Sequence, residues 1–110
     1  DKVKDAVNLF SKRNPNIIHE GEIQFDAAIS ASISKQKNPD SNLKGKANVF
    51  IFPNLDAGNI SYKITRELAG YSACGPLLQG IEKPVHDLSR GCTIDDIINV
   101  AIIAAIQKSS

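Results

Sequence analysis

Apolar positions recur along the chain with two different periods, and the changes of period mark its elements. In residues 2–13, Val3, Ala6, Val7 and Phe10 fall at helical spacing between lysines and Asp5, which predicts an amphipathic helix. Asn14, Pro15 and Asn16 end it, because proline has no N–H to continue the ladder. Ile17 and Ile18 predict a short strand. Residues 23–33 carry both signals: Ile23, Phe25, Ala27, Ile29, Ala31 and Ile33 alternate, whereas Ala27, Ala28 and Ala31 favour a helix. The balance predicts a short strand to about Gln24 and a helix from about Asp26, with Asp26 as its cap. A turn follows at Asn38, Pro39, Asp40 and Ser41.

Asn48 to Phe52 is a short run of apolar, β-branched and aromatic residues, the pattern of a strand covered on both faces of a parallel sheet. Pro53 stops it. Residues 56–69 return to helical spacing, with Ile60, Ile64 and Leu68 on one face and Gly70 at the end. Residues 72–80 predict another strand, edged or kinked at Gly75-Pro76. Strand, helix and strand in that order form a βαβ unit, which sets the fold class as α/β. Residues 81–92 are a predicted loop, and a last helix runs from about Thr93 to Gln107. From Ile97 to Ile106 that helix is apolar on nearly every face, so its pattern asks for burial on all sides. A domain of 110 residues has limited means to supply that, which implies further chain or an oligomer.

Length allows one domain and one real core. A formal net charge of +1, with basic residues scattered, speaks against a nucleic-acid partner, which needs a concentrated positive surface. No apolar run reaches the length of a membrane span, so no membrane partner is expected. Cys74 and Cys92 are too few for a disulfide scaffold and lack the paired spacing of a zinc site, so no metal is expected and a reduced, cytoplasmic setting fits. The chain holds no methionine, even at its first position, so it is expected to be processed, trimmed or cut from something longer.

The chemistry concentrates in one stretch, Asp87-Leu88-Ser89-Arg90-Gly91-Cys92-Thr93-Ile94-Asp95-Asp96. A hydroxyl, a guanidinium, a flexible glycine and two carboxylates surround one helix start. Helix N-termini attract anions through free N–H groups and the dipole, and Arg90 adds a fork that matches two phosphate oxygens. A phosphate or acyl phosphate is therefore a reasonable ligand. Structural readings stand beside the chemical ones. Thr93 and Asp96 have the spacing of a capping box, Asp95 reads as a first-turn acid, and Arg90 has Asp87 within reach for a surface ion pair. Ser89 reads equally as a loop serine, and Cys92 as a small packing residue.

Asp87-Leu88-Ser89-Arg90-Gly91-Cys92, followed by Asp95-Asp96-Ile97, resembles the C-terminal signature of the phosphate acetyltransferase and phosphate butyryltransferase family. The likeness extends upstream through residues 48–60, Tyr62-Lys63, Gly75-Pro76-Leu77-Leu78-Gln79-Gly80 and Lys83-Pro84-Val85. Gln24-Phe25-Asp26-Ala27-Ala28 and Pro39-Asp40-Ser41 also agree. The resemblance implies the C-terminal portion of a three-layer α/β sandwich like that of the isocitrate and isopropylmalate dehydrogenases, with the site in a cleft between two domains. Residues 1–85 would then belong to the second domain. Residues 86–110 would form a catalytic loop and a helix that packs on the first domain, which this sequence lacks.

The implied activity moves an acetyl group between acetyl phosphate and coenzyme A. Coenzyme A or acetyl-CoA, acetyl phosphate and phosphate are substrates, with no covalently bound cofactor. The resemblance also implies a cytoplasmic enzyme that is a homodimer at full length, and an isolated chain that is inactive. Butyrate or another short acyl chain is the alternative substrate, and a non-catalytic regulatory or oligomerising module is the alternative role. By resemblance Asp96 is the base for the thiol, Ser89 the hydroxyl at the reacting centre, and Arg90 the holder of phosphate, with Gly91 beside them. Arg66 is a candidate for binding coenzyme A, although relatives place the arginine one residue later, where Glu67 stands here. A free thiol titrates near ~8.5 and a free aspartate near ~3.9, so transfer of the proton to Asp96 is uphill unless the surroundings shift one of them.

Overall fold

The computed structural model describes residues 2–109. Five helices form: α1 (Lys2–Arg13), α2 (Phe25–Ile29), α3 (Ala31–Lys37), α4 (Leu55–Ala69) and α5 (Ile94–Ser109). The chain divides into two compact units, Asp1–Gly58 and Asn59–Ser110, and α4 begins in the first and continues into the second.

In the first unit α1 follows the predicted span, with Val3 and Val7 half-buried. The return segment lies close against it: a Cβ on Gly21 would come within 2.9 Å of Val7 Cγ2. His19 fastens this segment, with Nε2 2.6 Å from Ser11 Oγ and Nδ1 2.6 Å from the Ile17 carbonyl. Its ring also stands edge-on to Phe10 at 4.9 Å.

The helix predicted from Asp26 is in fact two. Ser30 takes an extended backbone, ends α2 and starts α3, where its hydroxyl accepts from the Ile33 N–H. Asp26 is not the cap of α2; Gln24 holds that position, and Asp26 lies in the first turn. There its carboxylate accepts from the Ala27 N–H at 2.8 Å and from Lys37 Nζ at 2.7 Å, which ties α2 to α3. The hydrogen bond from Lys37 leads in holding the Asp26 carboxyl below the usual carboxylate range, with the Ala27 N–H and the lysine charge adding to it and partial burial opposing.

The core of this unit is small: Ala27, Ala28, Ser34 and Ser41 are buried. Ser41 Oγ donates to Glu20 Oε2 at 2.5 Å, and Asn38 Nδ2 donates to the other carboxylate oxygen, so the predicted turn is anchored to the segment after α1. Gly45 is the tightest point. Its φ is +71°, and a Cβ there would meet the Ser30 carbonyl carbon at 2.3 Å, so only glycine fits.

No strand forms among the described residues, although helices and apolar non-helical runs alternate in α/β order. The predicted strands at Ile17–Ile18, at residues up to Gln24, at 48–52 and at 72–80 carry no ladder; the last contributes one isolated antiparallel bridge, Leu77 to His86. Residues 46–52 run free of turn or bend, with Val49 72% and Ile51 90% exposed. The Ala47 N–H reaches the Ala28 carbonyl at 3.0 Å, but no ladder forms along this run among the described residues.

In the second unit α4 ends at Gly70, whose φ of +70° suits the left-handed residue after a helix. The start of α4, in the first unit, is capped by Asn54 Oδ1 accepting from the Ala57 N–H at 2.9 Å. His86 links the bridge to the last helix. Its Nδ1 accepts from the Leu78 N–H at 3.2 Å, which places its proton on Nε2, and that nitrogen lies 2.7 Å from Gln107 Oε1. The expected all-round burial of α5 is not met: Val100 is buried, while Ile97, Ile98, Ile102 and Ile106 are about half exposed.

Candidate active site

The start of α5 is fixed by a reciprocal pair. Asp96 N–H donates to Thr93 Oγ1 at 3.2 Å, and Thr93 N–H donates to Asp96 Oδ2 at 2.9 Å. This is the capping box that the spacing Thr-x-x-Asp predicts, and it satisfies two helix-end donors at once. The same oxygen faces α4, where Arg66 Nη2 lies 3.6 Å away. Arg66 Nε points instead to Glu67 Oε1, also at 3.6 Å, so the guanidinium sits between two carboxylates.

These contacts pull the Asp96 carboxyl below the ordinary carboxylate value. The backbone N–H of Thr93 is the largest cause, followed by the Thr93 side chain; partial burial opposes them, and the Arg66 charge adds to them. Asp96 Oδ1 has no hydrogen bond among the described residues. Asp96 and Arg66 both line a cleft of about 400 Å³, with Thr93, Asp95, Ser72, Ala73, Ile98 and Asn99 as the other walls. The cleft wall therefore holds a carboxylate, with one oxygen unshared among the described residues, beside a cation.

Ser89, Arg90 and Gly91 lie outside the lining of this cleft. They form the turn that leads into α5: Ser89 Oγ accepts from the Gly91 N–H at 3.3 Å and its carbonyl accepts from the Cys92 N–H at 3.0 Å. Arg90 is exposed and makes no ion pair among the described residues. The anticipated pair with Asp87 does not form among the described residues; Asp87 Oδ1 accepts from the Leu88 N–H at 2.8 Å. The hydroxyl and guanidinium at this turn are thus open to a ligand. Cys92 is a free, partly covered thiol, and His86, the histidine near it in sequence, is engaged at both nitrogens.

Sequence reasoning brought Asp96 and Arg66 onto the page separately and missed their pairing. It also missed Ser72 and Asn99 as walls. Twenty-nine intervening residues hide the first, and nothing in the local pattern of the others signals a cleft. Among the described residues there is no group of three side chains able to hold a metal ion, and no helix long and apolar enough to cross a membrane.

Residues 1–105 match the family described as "Phosphate acetyl/butaryl transferase". A phosphate acetyltransferase of Bacillus subtilis strain 168 is 51% identical over 107 residues, covering 97% of this chain and 33% of that protein. One from Staphylococcus aureus strain Mu50 is 51% identical over 110 residues, covering 96% of this chain and 34% of its own length. The solved structure of EutD phosphotransacetylase from Staphylococcus aureus superposes with a TM-score of 0.82 at 50% identity, covering 96% of this chain and 32% of that one. The chain thus spans about a third of the length of the curated relatives it matches.

Proposed function

Because the chain belongs to the phosphate acetyl/butaryl transferase family, we propose that it forms one wall of the active site of a phosphate acetyltransferase. The observation that carries this reading is Asp96, a wall of a cleft of about 400 Å³: its Oδ2 is held by the Thr93 N–H and faces Arg66, while Oδ1 is unshared among the described residues.

The reaction is a direct acyl transfer. The coenzyme A thiol gives its proton to Asp96 Oδ1 as its sulfur attacks the carbonyl carbon of acetyl phosphate. The bond from carbon to the bridging oxygen breaks, and phosphate leaves with that oxygen. Arg90, in no ion pair among the described residues, offsets the charge on phosphate, and the Ser89 hydroxyl donates to the developing oxyanion.

Asp96 is a poor base by intrinsic strength, since its carboxyl is held below the ordinary value and a free thiol titrates near ~8.5. Its contribution is to receive a proton that leaves as the carbon–sulfur bond forms, with the sulfur already made more acidic by nearby cations. Holding thiol and acyl phosphate together supplies much of the remaining acceleration.

Two further elements complete the proposal. Residues 86–110 act with a first domain supplied by further polypeptide, which also covers the exposed isoleucines of α5. The setting is cytoplasmic, which the free state of Cys74 and Cys92 supports.

The test is formation of acetyl-CoA from acetyl phosphate and coenzyme A, run with the isolated 110-residue chain and with the complete protein, and repeated with butyryl phosphate. Turnover of acetyl phosphate by the complete protein alone is the expected result. Absence of transfer to coenzyme A by the complete protein would reject the reading.

A further inference from the structure

Among the described residues, both contacts with the Asp96 carboxylate fall on one oxygen. The Thr93 N–H reaches Oδ2 at 2.9 Å, and the Arg66 guanidinium faces the same atom at 3.6 Å. At that separation Arg66 acts through charge rather than as a hydrogen-bond donor. The two side chains are partly covered, 30% exposed for Arg66 and 19% for Asp96, so solvent does not fully screen the attraction. A carboxylate is planar. Two attractions on one oxygen bias the rotation of the group, and with it the direction of the other oxygen.

We propose that Arg66 is a positioning residue for Asp96: together with the Thr93 N–H it holds Oδ2, so that Oδ1 is the oxygen presented to the thiol. Arg66 is then not a contact for coenzyme A itself, the role its type and region first suggest. The inference rests on the acyl-transfer reading of Asp96. Removing Arg66 leaves the Thr93 N–H in place, so the helix cap survives and only the orientation of the carboxylate loosens. An ion pair this open adds little to stability. A reacting group misplaced by as little as an ångström, however, loses rate steeply.

The experiment compares Arg66→Gln, Arg66→Lys and the control Glu67→Gln with the unaltered sequence, all in the complete protein, by steady-state acetyl transfer as a function of pH. The control removes the other partner of Arg66 and leaves Asp96 untouched. Arg66→Gln is expected to lower kcat by about tenfold to a hundredfold, with the KM for coenzyme A changed by less than about twofold. Arg66→Lys is expected to restore most of the rate, and Glu67→Gln to leave it unchanged. The acid limb of kcat should move to higher pH in Arg66→Gln, because the arginine charge helps to hold the Asp96 carboxyl down.

A raised KM with normal kcat would overturn the proposal and make Arg66 a substrate contact. So would a normal kcat together with an unmoved acid limb. If Arg66→Gln fails to fold, Arg66→Lys and the Asp96 carboxyl titration followed by NMR in that variant carry the same decision. The underlying reading fails differently: a complete protein without acetyl transfer, or full turnover in Asp96→Asn, would remove both. Loss of turnover in Asp96→Asn with Arg66→Gln unaffected would remove the positioning role alone.

Discussion

Thr93 and Asp96 cap one another, each donating its backbone N–H to the other's side chain, at 2.9 and 3.2 Å respectively. The residue proposed to receive a proton is thereby also part of the scaffold that starts α5. The two duties separate by substitution. Thr93→Ala removes the hydroxyl that accepts from Asp96 N–H and should cost about 1 kcal/mol, whereas Thr93→Ser should be nearly neutral. Urea unfolding of the complete protein reads the difference.

Asp96→Asn keeps an oxygen able to accept from the Thr93 N–H, so the cap should persist. The side chain can no longer take up a proton. Turnover is expected to fall by about a hundredfold or more, with coenzyme A affinity, read by calorimetric titration, nearly unchanged. Turnover near normal would leave Asp96 with its capping role alone.

Lys37 donates to Asp26 across the α2–α3 pair at 2.7 Å and leads in lowering that carboxyl. A depressed folded value means stability that is fully present above the unfolded carboxylate value, near ~3.9, and lost as pH falls through the lower folded one. Lys37→Met should therefore be destabilising at neutral pH. The gap to the unaltered protein should close progressively below about pH 4. A gap that stays constant into strong acid would show that the lysine acts through packing rather than charge.

Gly45 and Gly70 have nearly the same φ, +71° and +70°, but different surroundings. An added methyl group meets backbone atoms of Ser30 and Ala31 at the first and nothing within 4 Å at the second. Gly70→Ala should cost about 1–2 kcal/mol for its conformation alone. Gly45→Ala should cost clearly more, because the clash is with main chain that cannot rotate away. Melting temperatures of the two variants of the complete protein would rank them.

What could be read from the sequence was whatever is local. The span of α1, the end of α4 at Gly70 and the Thr93–Asp96 box all depend on residues within a turn or two of each other. Ser30 was misread because its surroundings favour helix on both sides; the break shows only where its hydroxyl turns to cap α3. Residues 48–52 have the composition of a strand, but pairing depends on neighbours and not on the run itself. The meeting of Arg66 with Asp96 joins two helices, so no spacing rule reports it. Ser89, Arg90 and Gly91 were legible as one turn, yet their separation from the lining of the cleft was not.

Ala27, Ala28 and Val100 are the buried hydrophobic residues among those described. The heat capacity of unfolding rises with the apolar area that becomes newly hydrated. A chain with so little covered apolar surface has little left to hydrate when it melts. In a scanning calorimeter the separate 110-residue polypeptide should therefore give a broad endotherm with a small baseline step. That step should fall well below the roughly 1.2–1.5 kcal/mol/K usual for a domain of about a hundred residues. A sharp, cooperative transition with a large step from this polypeptide would show that it covers more apolar surface than the buried residues indicate.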